Sequence, residues 1–503
     1  MSKQKVFDIK DFKRKEKPEP GIKALEADDR AKKQTPREKF IRAVAERKWL
    51  LLAILLAGSI CLMPTPDGLT DKGKYALGLW AFVIISFLTE AVPLPMTAML
   101  IGSYQVVFGI GSFQEIPRTF MDDAVVFIMG VLMLGEMLVK YNIHNKIALF
   151  MLRLSGTRID RVILGVVAFC ALSAGFITEH ATVTIMLPIG VGIVSLSGGI
   201  RRAPNLAKLL MLAISNGVII GGVASPSGGA RNAIMISFLN SMGINVGYGT
   251  WMLMAMPFTL IMIPVVTFLL LKLYRPEITD LEEVMELIKE EMDADGPMTP
   301  QGKTALGIFL AVLFSWVLFS QQLGVGNIAM IGIVLAAVLR LIDWGYLQQK
   351  TQWGVVVLYA GAISMGKMLV ATGAATWLAK NLLGIAATIG VTKGLPLLAV
   401  TTTITALSTQ TMADGPTIAV LGPIFLKLAE LSGTSPNAIG IATSLGSAFS
   451  FLLVIATPAN AIVYGPGFLR GVDFLKAGGP LFLFSLMLTI ALAEIWWRVL
   501  GVW

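Results

Sequence analysis

The chain has 503 residues, 55% of them hydrophobic and 15% charged, with a mean hydropathy of +0.74 and a formal charge of +9. So much apolar side chain excludes a single water-soluble core, and lipid must be the solvent for most of the chain. Cys61 and Cys170 both lie in apolar runs, which fits neither a disulfide framework nor a zinc site, and the placement of the basic residues argues for membrane topology rather than a nucleic-acid partner.

Residues 1–48 form a polar tail in which Lys3, Lys5, Lys10, Lys13, Arg14, Lys15 and further cations up to Arg47 and Lys48 precede the first apolar run. The positive-inside rule places this tail in the cytoplasm, while its Lys, Glu, Pro and Asp content is equally that of a disordered segment. It lacks the apolar stretch of a cleavable signal peptide. Apolar runs follow at 49–63, 75–88, 96–110, 124–139, 209–238, 251–273, 305–320, 328–341, 353–370, 439–463 and 481–497. A run of about 20 helical residues spans a bilayer, so the shorter ones must tilt or pack behind others. Lys140, Lys146, Arg153, Arg158, Arg161, Arg201, Arg202, Arg340 and Lys350 fall on the side shared with the N-terminus, which puts the C-terminus outside a multi-pass protein of the cell inner membrane.

Two further apolar stretches do not read as ordinary spans. Residues 162–194 carry Thr178, Glu179 and His180 in the middle, and 395–428 carry Ala413, Asp414, Gly415 and Pro416. Charged or helix-breaking residues at membrane depth are tolerated where backbone is buried in protein or lines a cavity. A re-entrant hairpin accounts for each stretch; the alternative is one long kinked helix. Each stretch is followed by a broken span, Ser225-Pro-Ser-Gly-Gly-Ala-Arg-Asn232 in the first half and Ala456-Thr-Pro-Ala-Asn460 in the second, and Asn-Ala-Ile closes both. An acidic linker, 274–303, separates the halves and reads as an exposed cytoplasmic amphipathic helix. The predicted fold is therefore an all-α polytopic membrane protein of about eleven transmembrane helices and two re-entrant hairpins. It is arranged as two inverted repeats, 49–273 and 304–503, with the site at the four breaks. In such folds helix N-termini face anionic groups and unwound carbonyls face cations.

Five motifs, in order, carry a family resemblance: Thr89-Glu-Ala-Val-Pro-Leu-Pro-Met-Thr-Ala98, Trp353-Gly-Val-Val-Val-Leu-Tyr-Ala-Gly361, Thr372-Gly373 with Trp377-Leu-Ala379, Ala456-Thr-Pro-Ala-Asn-Ala-Ile-Val-Tyr-Gly465 and Phe474-Leu-Lys-Ala-Gly478. From about Trp49 to its end the chain resembles the divalent anion:sodium symporters, carriers of dicarboxylates, citrate and sulfate. The resemblance implies a homodimer, a scaffold holding a moving transport domain, an elevator-like motion, and a Ser-Asn-Thr triplet at each hairpin tip. Counting back from Pro188 and Pro423 places the triplets at Thr178-Glu179-His180 and Ala413-Asp414-Gly415, so neither is preserved, although Thr182 and Thr417 remain. By the same resemblance the anion is expected at Thr178, His180, Thr182, Arg231, Asn232, Gly415, Thr417, Thr457, Pro458 and Asn460. The coupling cation is expected at Ser173, Glu179, Gly228, Thr411, Asp414 and Ala456, with bound sodium as the only implied cofactor.

Two ionised carboxylates beside an anion would repel it: like charges about 4 Å apart cost on the order of 4 kcal/mol at an effective dielectric near 20. Arg231, a proton on a buried carboxylate or on His180, and bound sodium are three ways to cancel them. Glu179 and Asp414 are thus expected to bind or replace coupling cations, with Arg231 and the hairpin N-termini meeting the anion. The bland alternative is a Glu179–Arg231 ion pair that only fixes a hairpin. Glu90, Glu136, Lys140 and Lys367 are expected to have topological roles near span ends. No HExxH, GxSxG or Walker A sequence is present, so neither an enzyme nor an ATP-driven pump is expected. The runner-up is an ion carrier resembling sodium/proton antiporters or arsenite exporters, on the strength of Asp414-Gly415 and Glu179.

Overall fold

The computed structural model describes residues 47–282, 286 and 296–503, and their regular structure is helical, with one isolated bridge between Arg158 and Asp280. Residues 1–46 of the tail, and residues 283–285 and 287–295 of the acidic linker expected to be amphipathic, lie outside the described residues. Each expected apolar run coincides with a helix or a broken pair. In the first half these are α1 (Lys48–Leu62), α2 (Asp71–Thr89), α3 (Leu94–Val107), α4 (Asp123–Lys140), α5 (Ile143–Ser155), α6 (Ile159–Phe176), α7 (Glu179–Leu196), α8 (Pro204–Gly221), α9 (Ala230–Ser241) and α10 (Tyr248–Leu273). The second half has α11 (Pro300–Leu323), α12 (Val325–Val338), α13 (Trp353–Ala371), α14 (Ala374–Thr388), α15 (Gly394–Ser408), α16 (Asp414–Ser432), α17 (Pro436–Ser447), α18 (Pro458–Tyr464) and α19 (Gly471–Leu492).

Helix starts follow local chemistry. Thr70, Asp122 and Thr299 accept from backbone N–H groups of the first turns of α2, α4 and α11 at 3.0, 3.0 and 3.1 Å. The helices α5 and α14 are additions to the eleven expected runs, and both follow a span through a left-handed residue, Asn142 (φ 54°) or Gly373 (φ 78°). The pair α4–α5 bends by 73°. Among the described residues eight single helices are long and apolar enough to cross a membrane, or nine if the bent pair counts as one span. Their burial sorts them: α8 is 83% buried and forms a central post, whereas α11 is 33% buried and turns Leu310, Phe314 and Leu318 outward.

Close glycine contacts fix the chain directions. Gly217 rests on Val167 and Cys170, Gly221 on Ala171 and Gly175 on Ala224, so α6 and α8 run the same way. Gly190 rests on Met211 and Ile214 while Glu179 lies against Gly222, so α7 runs back, making 162–194 a helical hairpin. The second half repeats this. Gly446 meets Thr402, so α15 parallels α17; Gly440 meets Leu426, so α16 opposes α17; Gly394 N–H donates to Thr434 Oγ1 at 3.0 Å where the arms meet. The hairpins enter from opposite ends. At the base of the first, Lys208 pairs with Asp473 in the first turn of α19 at 3.0 Å. At the base of the second, Ser435 Oγ donates at 2.6 Å to the Val502 carbonyl, past the far end of that span. From Gly471 to Trp497 the span has 27 residues, which at 1.5 Å each is about 40 Å.

Candidate functional site

The two tips meet on one side chain. Arg231, in the first turn of α9, is 1% exposed; its Nη2 donates to Glu179 Oε1 at 2.5 Å and its Nη1 donates to Asp414 Oδ2. Glu179 opens α7 and Asp414 opens α16, so one guanidinium bridges tips that are 235 positions apart in sequence (414 − 179). Missing side chains make the space. A Cβ on Gly222 would lie 2.6 Å from Arg231 Nη2, and one on Gly229 would lie 3.0 Å from Arg231 Cζ. Gly415 likewise accommodates the Tyr359 ring of α13, whose hydroxyl would stand 2.7 Å from a Cβ there. Asp414 also accepts from the Gly415 N–H at 2.8 Å, the free donor of a helix start. His180 is exposed beside Glu179.

The threonines carried over from the family pattern act on their own tips. Thr182 Oγ1 donates to the Thr178 carbonyl at 3.0 Å and to Ser173 Oγ at 3.3 Å; Thr417 Oγ1 donates to the Ala413 carbonyl at 3.0 Å. Thr178 caps α7 by accepting from Ala181 N–H at 3.3 Å, and Thr457 caps α18. Thr411 is exposed and donates to the Ser408 carbonyl at 3.2 Å, and Pro458 is exposed at the start of α18. Gly228 stands among carbonyls, where a Cβ would approach Gly222 O, Ala174 O and Gly175 O at 2.7, 3.0 and 3.0 Å. Ala456 holds the matching place, four residues before its asparagine, and is buried.

The closing asparagines brace the breaks in the same way in both halves. Asn232 Nδ2 donates to the carbonyls ten and seven residues back, Gly222 at 2.8 Å and Ser225 at 2.7 Å. Asn460 does so to Ser450 at 2.8 Å and Leu453 at 2.9 Å, again ten and seven back. Each amide oxygen accepts from a serine of the opposite half: Ser444 to Asn232 at 2.8 Å, Ser215 to Asn460 at 2.5 Å. The residue before the asparagine breaks the symmetry, being Arg231 in one half and Ala459 in the other.

Sequence reasoning anticipated the Glu179–Arg231 pair. It missed the Asp414 contact, the serine crossovers and Tyr359, all of which depend on elements far apart in the chain. It also read Lys367 as a topological cation, whereas Lys367 pairs with Asp122, which in turn accepts from Ser237 of α9 at 3.0 Å. The adjacent acids Asp122-Asp123 at the head of an apolar run were the available signal. A cavity of about 600 Å³, lined by Asp122, Ser237, Asn240, Gln321 and Lys367, reaches Pro226 in the first break.

Two hairpins entering a helical bundle from opposite ends and closing on two broken helices define an inverted-repeat secondary transporter rather than an enzyme. The chain belongs to the sodium:sulfate symporter family, whose transmembrane-region model matches residues 45–503. A sodium-dependent dicarboxylate transporter, SdcS, of Staphylococcus saprophyticus is 25% identical over 445 residues, 83% of this chain and 85% of that protein. Its counterpart in Staphylococcus aureus strain USA300 is 24% identical over 448 residues, 83% of this chain and 85% of that protein, and a membrane protein of Cupriavidus necator is 25% identical over 482 residues, 90% of this chain and 93% of that protein. Among solved structures the Alcanivorax borkumensis YdaH transporter shares the fold, with a TM-score of 0.54 and 15% identity over 91% of this chain and 98% of that one.

Proposed function

We propose that the chain carries a small dianion or trianion, of the dicarboxylate, citrate or sulfate class, across the cell inner membrane by an elevator motion driven by sodium or protons. The observation that carries this reading is the convergence of both hairpin tips and the first broken helix on Arg231, among the described residues the one guanidinium buried between them. Arginine suits planar carboxylate or sulfate oxygens, and the relatives named for sodium-dependent dicarboxylate transport agree with that class. Repeats 49–273 and 304–503 joined by 274–303, a homodimer, a cytoplasmic N-terminus and an outside C-terminus belong to the same proposal. Around Arg231 the anion would meet Thr178, His180 and Gly415, and the carbonyl cluster at Gly228 with its counterpart at Ala456 would face the cation. Proteoliposomes should accumulate labelled succinate, citrate or sulfate under an imposed sodium or proton gradient. Failure with every probe and both gradients refutes the reading. The two carboxylates favour a second reading, a cation exchanger, which would move sodium or protons with no added anion.

A further inference from the structure

The cavity beside α9 takes no part in the contacts at the hairpin tips. Its volume of about 600 Å³ lies within the range of about 300–1,000 Å³ that small-molecule sites occupy. Its walls come from the start of α4 at Asp122 and Asp123, the start of α10 at Tyr248, the end of α11 at Gln321, and Lys367 of α13. Tyr274, just past the far end of α10, donates to Asp473 at the base of the first hairpin at 3.2 Å, so the cavity lies at the opposite end of the bundle, from which the second hairpin enters. In the topology proposed above that end is the outside. Along α9 the cavity passes Asn240 and Ser237 and reaches Ala233 and Pro226.

The acids in this wall are already engaged. Asp123 accepts from the N–H groups of Val325 and Gly326 at 3.1 and 3.0 Å, where the positive end of the α12 dipole offsets its charge. Asp122 accepts from Ala124 N–H and Ser237 Oγ through one oxygen and from Lys367 through the other. Each of the four carboxylate oxygens therefore holds a donor. The unengaged groups are mainly donors. Lys367 spends one of its three N–H groups on Asp122, and its side chain is 28% exposed. Asn240 accepts from Val246 N–H at 3.1 Å through Oδ1, and no acceptor among the described residues takes its Nδ2 hydrogens. The exposed amides of Gln321 and Asn245 can present either end. A ligand for such a wall brings acceptor oxygens and negative charge.

We propose that this cavity is a second station for the transported anion, where one carboxylate or sulfate oxygen accepts from Lys367 and another from Asn240 Nδ2. This rests on the carrier reading above. Ser237, against which the Lys367–Asp122 pair is held, is six residues beyond Arg231, so the two stations are about 9 Å apart along α9 at 1.5 Å per residue. Lys367 keeps its bond to Asp122 throughout, because the ammonium has two hydrogens to spare. A free cation would meet filled carboxylate oxygens and a lysine facing it. Two acids and one lysine leave one formal negative charge, so the hold on an anion is loose, as a stop on a path requires: the solute must bind well enough to enter and weakly enough to leave.

The test is thiol protection on the full-length protein carrying Cys61→Ser and Gln321→Cys; Cys170 is buried and does not compete. An uncharged maleimide labels position 321 in detergent at constant ionic strength, which keeps screening fixed, with succinate, citrate and sulfate as probes against chloride. At least one probe should slow the labelling. Lys367→Met should raise the half-protecting concentration about tenfold or more, the loss of a hydrogen bond between charged groups, whereas Arg231→Met should leave protection in place. Asn240→Asp keeps the bond to Val246 but replaces two donors by a negative charge, so it too should weaken protection. Asn240 is exposed, and should Lys367→Met or Arg231→Met fail to fold, Asn240→Asp decides. Protection that Arg231→Met abolishes, and that Lys367→Met and Asn240→Asp leave unchanged, reports movement driven from the tips and overturns the proposal. Uptake of a probe into proteoliposomes by the unaltered protein, with no protection by that probe, overturns it and leaves the carrier reading standing. Neither uptake nor protection with any probe overturns both.

Discussion

Replacing Arg231 by Met removes the single cation between two facing carboxylates and keeps most of the side-chain volume. Both acids touch the same guanidinium, so their charges stand roughly 5 Å apart, and at an effective dielectric near 20 their unscreened repulsion is about 3 kcal/mol. Breaking a buried ion pair by removing one partner typically costs about 3–5 kcal/mol. Asp414 keeps 29% of its exposure and with it part of its hydration, so the lower end of that range applies. Neutralising the carboxylates too, as Arg231→Met with Glu179→Gln and Asp414→Asn, removes the stranded charges and should restore most of the loss. Thermal unfolding in detergent, followed by tryptophan fluorescence at one pH, reads the difference as several degrees lost by the single variant and largely regained by the triple one. If the single variant melts with the unaltered protein, or the triple variant is no more stable than the single one, the triad does not hold the tips together.

Gly222→Ala places a methyl group within 2.7 Å of the Glu179 carboxyl carbon, so it should cost about 1–3 kcal/mol of overpacking and lower uptake, measured by the same melts and by flux. Asn232→Ala and Asn460→Ala each strand one carbonyl, Gly222 or Ser450, and a serine hydroxyl, while the second carbonyl, Ser225 or Leu453, keeps a backbone N–H donor; each should cost about 1–3 kcal/mol, and unequal losses in the melting series would show that the two braces are not equivalent. Lys367→Met and Asp122→Asn should each destabilise, and because both side chains are partly exposed, their double-variant cycle should return a coupling of only about 1 kcal/mol.

The helical framework was legible because spanning length and apolar content mark each run, and Glu179 and Asp414 within apolar stretches marked the hairpin tips. The breaks were legible for a local reason as well: Ser-Pro-Ser-Gly-Gly and Thr-Pro-Ala cannot continue a regular helix. By contrast α5 and α14 left little trace, since α5 carries His144, Lys146 and Arg153 among apolar residues and lacks the uniform apolarity of a span. Partner choice was the least legible part. Arg231 meets Glu179 from 52 positions away and Asp414 from 183, and only the antiparallel packing of two hairpins from opposite ends decides that one guanidinium serves both.

That shared guanidinium links the two hairpin tips. If either tip swings away, its carboxylate leaves Arg231 with the other acid still in contact, and the buried positive charge stays compensated. Release of both tips at once would strand Arg231 in a protein interior with no anion to face it. Separation of both tips together is therefore the rearrangement most penalised, and that bias follows from a single arginine whose place in the second half is taken by Ala459.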